Sequence, residues 1–227
     1  DNQIVMSSAA SWLLFMATAC IMFVTSFSTM ATMGALAEMR YSLQLSLSSQ
    51  AWVMVGFSIT VMACVMSVGQ LCKRYGYLPL FVCGLIVFFA SGVINALTES
   101  AWLLIVGRVI QGLSYAFLFP TTLGLLKYGP KKSLRELFLV LWISCQLIGY
   151  FVGPLSGGVL AEHASWRIIY WINCVFSVLA LGLTACFFRQ CKIATQKVSF
   201  DFLGFILLLA LSVIIVLTVS EGSYWGW

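Results

Sequence analysis

The sequence predicts an all-α integral membrane protein, and three observations carry that prediction. Of its 227 residues, 62% are hydrophobic and only 8% charged, with a mean hydropathy of +1.03. A water-soluble domain carries about 25% charged residues, so this chain cannot cover a water-facing surface. Second, seven apolar windows each approach the roughly 20 residues that cross a bilayer as a helix. Barrel strands alternate over about ten residues, and these windows are too long and too continuous for that. Third, the cations are sorted by loop. Lys73, Arg74, Lys127, Lys131, Lys132, Arg135, Arg189, Lys192 and Lys197 fall in one set of loops, and only Arg40 and Arg167 in the other. The positive-inside rule places the cation-rich loops, and the N-terminus with them, in the cytoplasm. These cations flank spans, so nucleic-acid binding is not expected. The twelfth cation, Arg108, lies within a span.

The windows are 11–36, 50–72, 79–98, 101–126, 137–160, 167–188 and 202–220. In the first, Thr25, Ser28, Thr29 and Thr32 recur at helical spacing and share a face bordered by Met22 and Met33. Two readings are open: hydroxyls bonding between helices in lipid, or a wall of a substrate path with adaptable methionines. Ala35-Leu36-Ala37 resembles a signal cleavage site, but the preceding run is too long and lacks a basic flank, so a retained span is expected. The stretch 38–49 reads as the longest loop on its side. The second window ends in Gly69-Gln70-Leu71-Cys72-Lys73-Arg74-Tyr75-Gly76, a short basic turn bracketed by glycines that allow close helix approach and a tight reversal. The third contains Gly84, Ser91, Gly92 and Asn95.

The fourth window has the charge. A charged side chain near a span centre costs about 2.5 kcal/mol or more on insertion scales, so Arg108 requires an interior or a watery cavity. Arg108, Gln111, Gly112, Tyr115, Phe119 and Thr122 fall on one helical stripe. In the fifth window Gly149, Gly153 and Gly157 are four residues apart, with Pro154 and Gly158 beside them. Such a series lets another helix approach closely, and proline removes a backbone hydrogen bond. The sixth opens with Ser165-Trp166-Arg167, which suits an interfacial belt. The seventh is almost wholly Leu, Ile and Val and reads as lipid-facing or linking.

Six of the eight cysteines (Cys20, Cys64, Cys83, Cys145, Cys174, Cys186) lie within spans, there is no C-x-x-C pair, and His163 is the one histidine. A disulfide framework and a metal site are therefore not expected. No nucleophile–base constellation points to an enzyme, and no filter motif to a channel.

Three of these stretches together resemble the major facilitator superfamily. GQLCKRYG (Gly69–Gly76) resembles its loop 2–3 motif, LLIVGRVIQG (Leu103–Gly112) its fourth-helix motif, and GYFVGPLSGG (Gly149–Gly158) the fifth-helix motif of its antiporters. Trp166 to Asn173 and the closing SEGSYWGW are similar to the fourteen-helix drug:proton antiporter branch. The resemblance implies a six-helix N-terminal transporter domain built as a 3+3 inverted repeat (1–188), a cytoplasmic linker (189–201) and one further transmembrane helix (202–227). A second six-helix half, or a second chain, would complete the pathway. The implied activity is export of small lipophilic compounds by alternating access in a bacterial inner membrane. The proton gradient would supply the energy, and no cofactor is implied. Alternatives from the same residues are an exporter of a specific metabolite such as a siderophore, and a transporter-derived scaffold or receptor that moves nothing.

In this scheme Arg108 is the proton-coupling residue. Ser28, Thr32, Met33, Gln111, Gly112 and Tyr115 line the substrate path. Gly69, Lys73, Arg74 and Gly76 form the gating loop, and Gly149, Gly153, Pro154, Gly157 and Gly158 the antiporter helix motif. A bundle role for Arg108, bonding carbonyls of neighbouring helices, is the competing reading. Two positions depart from the family pattern: Lys73 and Ser28 each stand where an acid is usual. All seven acids, Asp1, Glu38, Glu99, Glu136, Glu162, Asp201 and Glu221, fall at span ends or in loops.

Overall fold

The computed structural model describes residues 7–187 and 202–221. Among these, eight helices follow in order: α1 (Ser8–Gly34), α2 (Leu36–Leu43), α3 (Leu47–Tyr75), α4 (Tyr77–Leu97), α5 (Ala101–Tyr128), α6 (Lys132–His163), α7 (Arg167–Phe187) and α8 (Phe202–Glu221). Six of them, α1 and α3 to α7, are long and apolar enough to cross a membrane, and they match the first six windows. Helix α8 fills the seventh window and lies along α3. The expected linker 189–201 falls outside the described residues.

The helices start where serine can cap them. The Oγ atoms of Ser7, Ser46 and Ser100 accept the backbone N–H of Ala10, Ser49 and Leu103 at 3.2, 3.1 and 3.3 Å, each satisfying one of the donors a helix start leaves free. One expectation is corrected here. Residues 38–49 are mostly not loop: Leu36–Leu43 is helical, with Glu38 in its first turn and Arg40 in its last, the order its dipole favours. Met39 is fully buried beneath it, and Gln44 ends it in a left-handed conformation (φ 50°, ψ 44°). Windows chosen by hydropathy miss such a helix because it is amphipathic and short.

Gly76 joins α3 to α4 without an intervening loop. Its backbone (φ 92°, ψ 154°) lies in a region open essentially to glycine alone, so the turn read from Gly69–Gly76 depends on the second glycine. A Cβ on Gly69 would meet nothing within 4 Å.

The pairing of helices has an internal symmetry. Helix α1 packs on α6 and α7, α5 packs on α3 and α4, and α4 packs on α7. Exchanging α1 with α5, α3 with α6, and α4 with α7 reproduces the same pairings. The short connections make successive spans antiparallel, so each exchanged pair runs in opposite directions. This is the expected 3+3 inverted repeat. It divides the bundle into two tight pairs, α1–α6 and α3–α5, bridged behind by α4 and α7, with little direct packing of α5 on α1 or α6.

The glycines explain the tightness. Buried residues on α6 (Phe138, Trp142, Gln146, Gly149, Gly153, Gly157, Ala161) form one stripe. A Cβ on Gly149 would lie 2.6 Å from the Phe23 carbonyl oxygen, one on Gly153 2.8 Å from that of Phe27, and one on Gly157 would overlap the Ala31 carbonyl. The partner of the fifth-window glycines is therefore α1 of the same six-helix unit. Pro154 lies on the exposed side of an unbroken helix. Gly158 is half-buried beside Gly34.

The two ends of the bundle are tied differently. At the cation-rich end, Lys131 Nζ donates to Ser8 Oγ at 3.2 Å. At the other, Trp166 Nε1 donates to Ser42 Oγ (2.9 Å) and Arg167 Nη2 to the Thr98 carbonyl (2.8 Å), with the guanidinium 4.4 Å from the indole centroid. Trp166 is 2% exposed. The expectation of a lipid-interface anchor is thus corrected: Trp166 is a buried clasp binding α2 to α7, which no hydropathy pattern encodes.

Candidate functional site

Arg108 is completely buried, two turns into α5. The guanidinium has five donors and no accepting capacity. Nε donates to the Val53 carbonyl of α3 at 3.1 Å, and Nη1 to Gln111 Oε1, one turn along α5, at 2.9 Å. The Phe57 ring, also on α3, has its centroid 4.9 Å from the guanidinium carbon, within cation–π range. Nη2 has no hydrogen-bond partner among the described residues.

From Gln111 the network crosses to α1 and α7. Gln111 Nε2 donates to Ser28 Oγ at 3.1 Å, and Asn173 Nδ2 donates to the same oxygen at 2.8 Å. Ser28 is the hub: one hydroxyl accepts from two amides on two helices. One turn further on, Thr32 Oγ1 and the Tyr170 hydroxyl are 3.1 Å apart. Ser28, Thr32, Gln111, Asn173 and Tyr170 are all essentially buried. None of the partners carries a negative charge. The described carboxylates, Glu38, Glu99, Glu136, Glu162 and Glu221, lie in or beside the turns or at helix ends.

An aromatic series continues from the charge. Phe57 meets Tyr115 edge-on with centroids 5.9 Å apart, Tyr115 stacks on Phe119 at 5.9 Å, and Phe119 tilts against Trp142 of α6 at 5.7 Å. The Tyr115 hydroxyl lies 3.4 Å from that of Tyr150, the longest bond in the neighbourhood. Trp142 Nε1 is buried without a partner among the described residues.

The structure thus brings together Arg108, Gln111, Ser28, Thr32 and Tyr115 from the sequence-predicted set. The first-window hydroxyls separate: Thr25, Thr29 and Thr32 each donate to a carbonyl three or four residues back in α1, and only Ser28 and Thr32 also reach another helix. Gly112 is a packing position, since a Cβ there would lie 2.5 Å from the Phe57 carbonyl oxygen. Met33 is 57% exposed and outside the cluster. Lys73 and Arg74 are exposed at the far turn, Arg74 over the Tyr75 ring at 5.3 Å. Sequence reasoning missed the Val53 carbonyl, Phe57, Tyr150 and the hub role of Ser28. Asn173 and Asn95, amides inside apolar windows, were the available signals for a buried network. Asn95 packs against Gly107 and its amide has no partner among the described residues.

A six-helix inverted repeat with a buried cation on its fourth span is the architecture of one domain of a secondary transporter. The chain belongs to the Major Facilitator Superfamily, whose family model matches residues 18–199. It is 33% identical over 149 residues to a methylenomycin A resistance protein of Bacillus subtilis, covering 65% of this chain and 32% of that protein. It is 26% identical to the tetracenomycin C resistance and export protein of Streptomyces glaucescens, over 82% of this chain and 34% of the relative. Among solved structures, the crystal structure of a peptide transporter POT (E310Q mutant) in complex with sulfate superposes with a TM-score of 0.69 at 15% identity, over 93% of this chain and 46% of the other. The chain therefore spans about a third of the length of these curated relatives.

Proposed function

We propose that this chain is the N-terminal half of an exporter that expels small lipophilic compounds by alternating access and draws on the proton gradient. The observation that carries the reading is the buried Arg108 network at the weakly packed boundary between the two helix pairs. Gln111, which holds Arg108, reaches Ser28 across that boundary, and a neutral bond of this kind can be exchanged when the pairs shift, whereas a close-packed boundary cannot. The resistance and export names of the relatives favour a drug or antibiotic as cargo, the Gly149–Gly158 stretch favours an antiporter, and the stretch Trp166 to Asn173 favours the fourteen-helix branch. The cation-rich turns favour a cytoplasmic N-terminus, and the bacterial relatives favour an inner membrane. Arg108 acts as the coupling residue, with the proton-carrying acid supplied by the half that completes the pathway.

The test is Arg108→Ala in the full-length transporter, assayed in inverted membrane vesicles with neutral, cationic and anionic lipophilic dyes. Proton-driven efflux is expected to fall at least about tenfold with the protein level unchanged. Undiminished efflux removes Arg108 from the mechanism. The neutral character of the Ser28 hub favours a second reading, transport uncoupled from protons. Its signature is efflux that survives collapse of the pH gradient.

A further inference from the structure

We propose that the Arg108 site recognises an anionic group on an aromatic substrate, with the carboxylate-type head on the guanidinium and the ring system on the Phe57–Tyr115–Phe119–Trp142 series. This rests on reading the chain as half of an exporter. The first support is electrostatic. A guanidinium that is 0% exposed carries a full positive charge, yet its partners are a backbone carbonyl, an amide oxygen and a ring face. Removing an ion from water costs several kcal/mol, and neutral acceptors recover only part of that. Among the described residues Nη2 is left without an acceptor, in a place no water-facing surface reaches. A carboxylate on Nη2 would supply both the missing acceptor and the missing charge.

The second support is the continuity of the aromatic surface with that charge. Phe57 is at once the ring beneath the guanidinium and the first member of the series ending at Trp142, whose own N–H has no partner among the described residues. Apolar walls with a few placed polar groups are the usual make-up of a small-molecule site. Access runs through the thin boundary. Helices α5 and α6 touch little, and the Tyr115–Tyr150 hydroxyl pair at 3.4 Å is the weakest bond there. Separating those two tyrosines opens the path to the aromatic series without unpacking the glycine contacts of α1 on α6.

The test measures equilibrium binding of three probes of one shape, 2-naphthoate, 2-naphthamide and 2-naphthylmethylammonium, to the full-length protein in nanodiscs. The naphthoate is expected to bind at least about tenfold more tightly than the amide, and the ammonium most weakly. Gln111→Glu places a carboxylate against Arg108 Nη1 with little change of shape, so it should bring the naphthoate-to-amide ratio to about one while amide binding persists. Arg108→Gln should do the same. If either variant fails to fold, the other and the wild-type ratio decide. Phe119→Leu should weaken both probes by a similar factor and leave the ratio intact. Equal binding of naphthoate and naphthamide to the wild type overturns the proposal, as does an unchanged ratio in a folded Gln111→Glu protein. Chloride or sulfate displacing naphthoate as well as unlabelled naphthoate does would overturn the aromatic half. These readouts need no flux. Selective binding without vesicle efflux rejects the exporter reading alone, and efflux without selectivity rejects this inference alone.

Discussion

The two boundaries of α1 are built on opposite principles. Against α6 it presents backbone: the carbonyls of Phe23, Phe27 and Ala31 lie where a Cβ on Gly149, Gly153 or Gly157 would have to go. Against α5 and α7 it presents hydroxyls: Ser28, shared by Gln111 and Asn173 on the way to Arg108, and Thr32, paired with Tyr170. In lipid, apolar side chains gain little by leaving the surroundings for each other, so close approach of small residues supplies the adhesion at the first boundary. The second is held by directional bonds, and on its α5 side, towards the charge, it contains few close contacts. A bundle that must stay rigid within each helix pair and yield between the pairs needs both. The glycine boundary can be probed for stability and the polar boundary for function, and the two should respond differently.

The largest effect is expected at the glycine boundary. In Gly157→Leu the new Cβ overlaps the Ala31 backbone, which cannot yield without moving α1. Overpacking of a tight interior typically costs about 1 to 3 kcal/mol, and a backbone obstacle puts this site at or above the top of that range. The folded fraction in an SDS titration should drop sharply, and intact midpoints would mean that α1 and α6 are not so closely apposed. Next comes Ser28→Ala, which removes the acceptor of two buried amides. An orphaned buried donor costs about 1 to 3 kcal/mol, so a loss of about 2 kcal/mol is expected by the same titration. Ser28→Asp is its informative partner, since a carboxylate there would place an anion one amide away from Arg108. If the neutral hub is what keeps the site free for an anion, Ser28→Asp should retain the fold and lose naphthoate selectivity.

Arg108→Met should separate stability from function most clearly. Deleting the charge removes a desolvation cost of several kcal/mol and also two hydrogen bonds, each worth about 1.5 to 3 kcal/mol. These nearly cancel, so a stability change within about 1 kcal/mol is expected together with loss of efflux. A large destabilisation would make Arg108 a structural tie first and a functional group second.

How much of this was legible depends on whether the controlling contact is local. The spans were, because length and apolarity alone define them, and the stripe of Arg108, Gln111, Gly112 and Tyr115 was, because helical periodicity brings those residues to one face. The Gly149–Gly153–Gly157 series announced a close helix contact but not its partner. That partner, α1, is more than a hundred residues away in sequence. Apart from the family resemblance, Ser28 stood out as one of four hydroxyls at helical spacing, and nothing local separates it from Thr25 or Thr29. The structure does so by placing amides of α5 and α7 opposite Ser28. The Val53 carbonyl, the first partner of Arg108, is invisible in principle, since every residue has one. The short helix Leu36–Leu43 and the Trp166–Ser42 clasp escaped because they lie outside the apolar windows that organised the reading.

The smallest effect sharpens that last distinction within a single helix. Thr29 shares the face of Ser28 and is nearly as buried, but its hydroxyl donates 2.8 Å back to the Thr25 carbonyl. That carbonyl already serves the helix, so such back-bonding contributes little. Thr29→Val keeps the shape and removes only this bond. It should shift the SDS midpoint by less than about 0.5 kcal/mol and leave efflux and probe selectivity at wild-type levels. Ser28→Ala, a smaller change one residue earlier, should cost several times more. Were the two substitutions to behave alike, the hydroxyls of α1 would be generic interhelical packing, and the Ser28–Gln111–Arg108 connection would lose its claim to be the site.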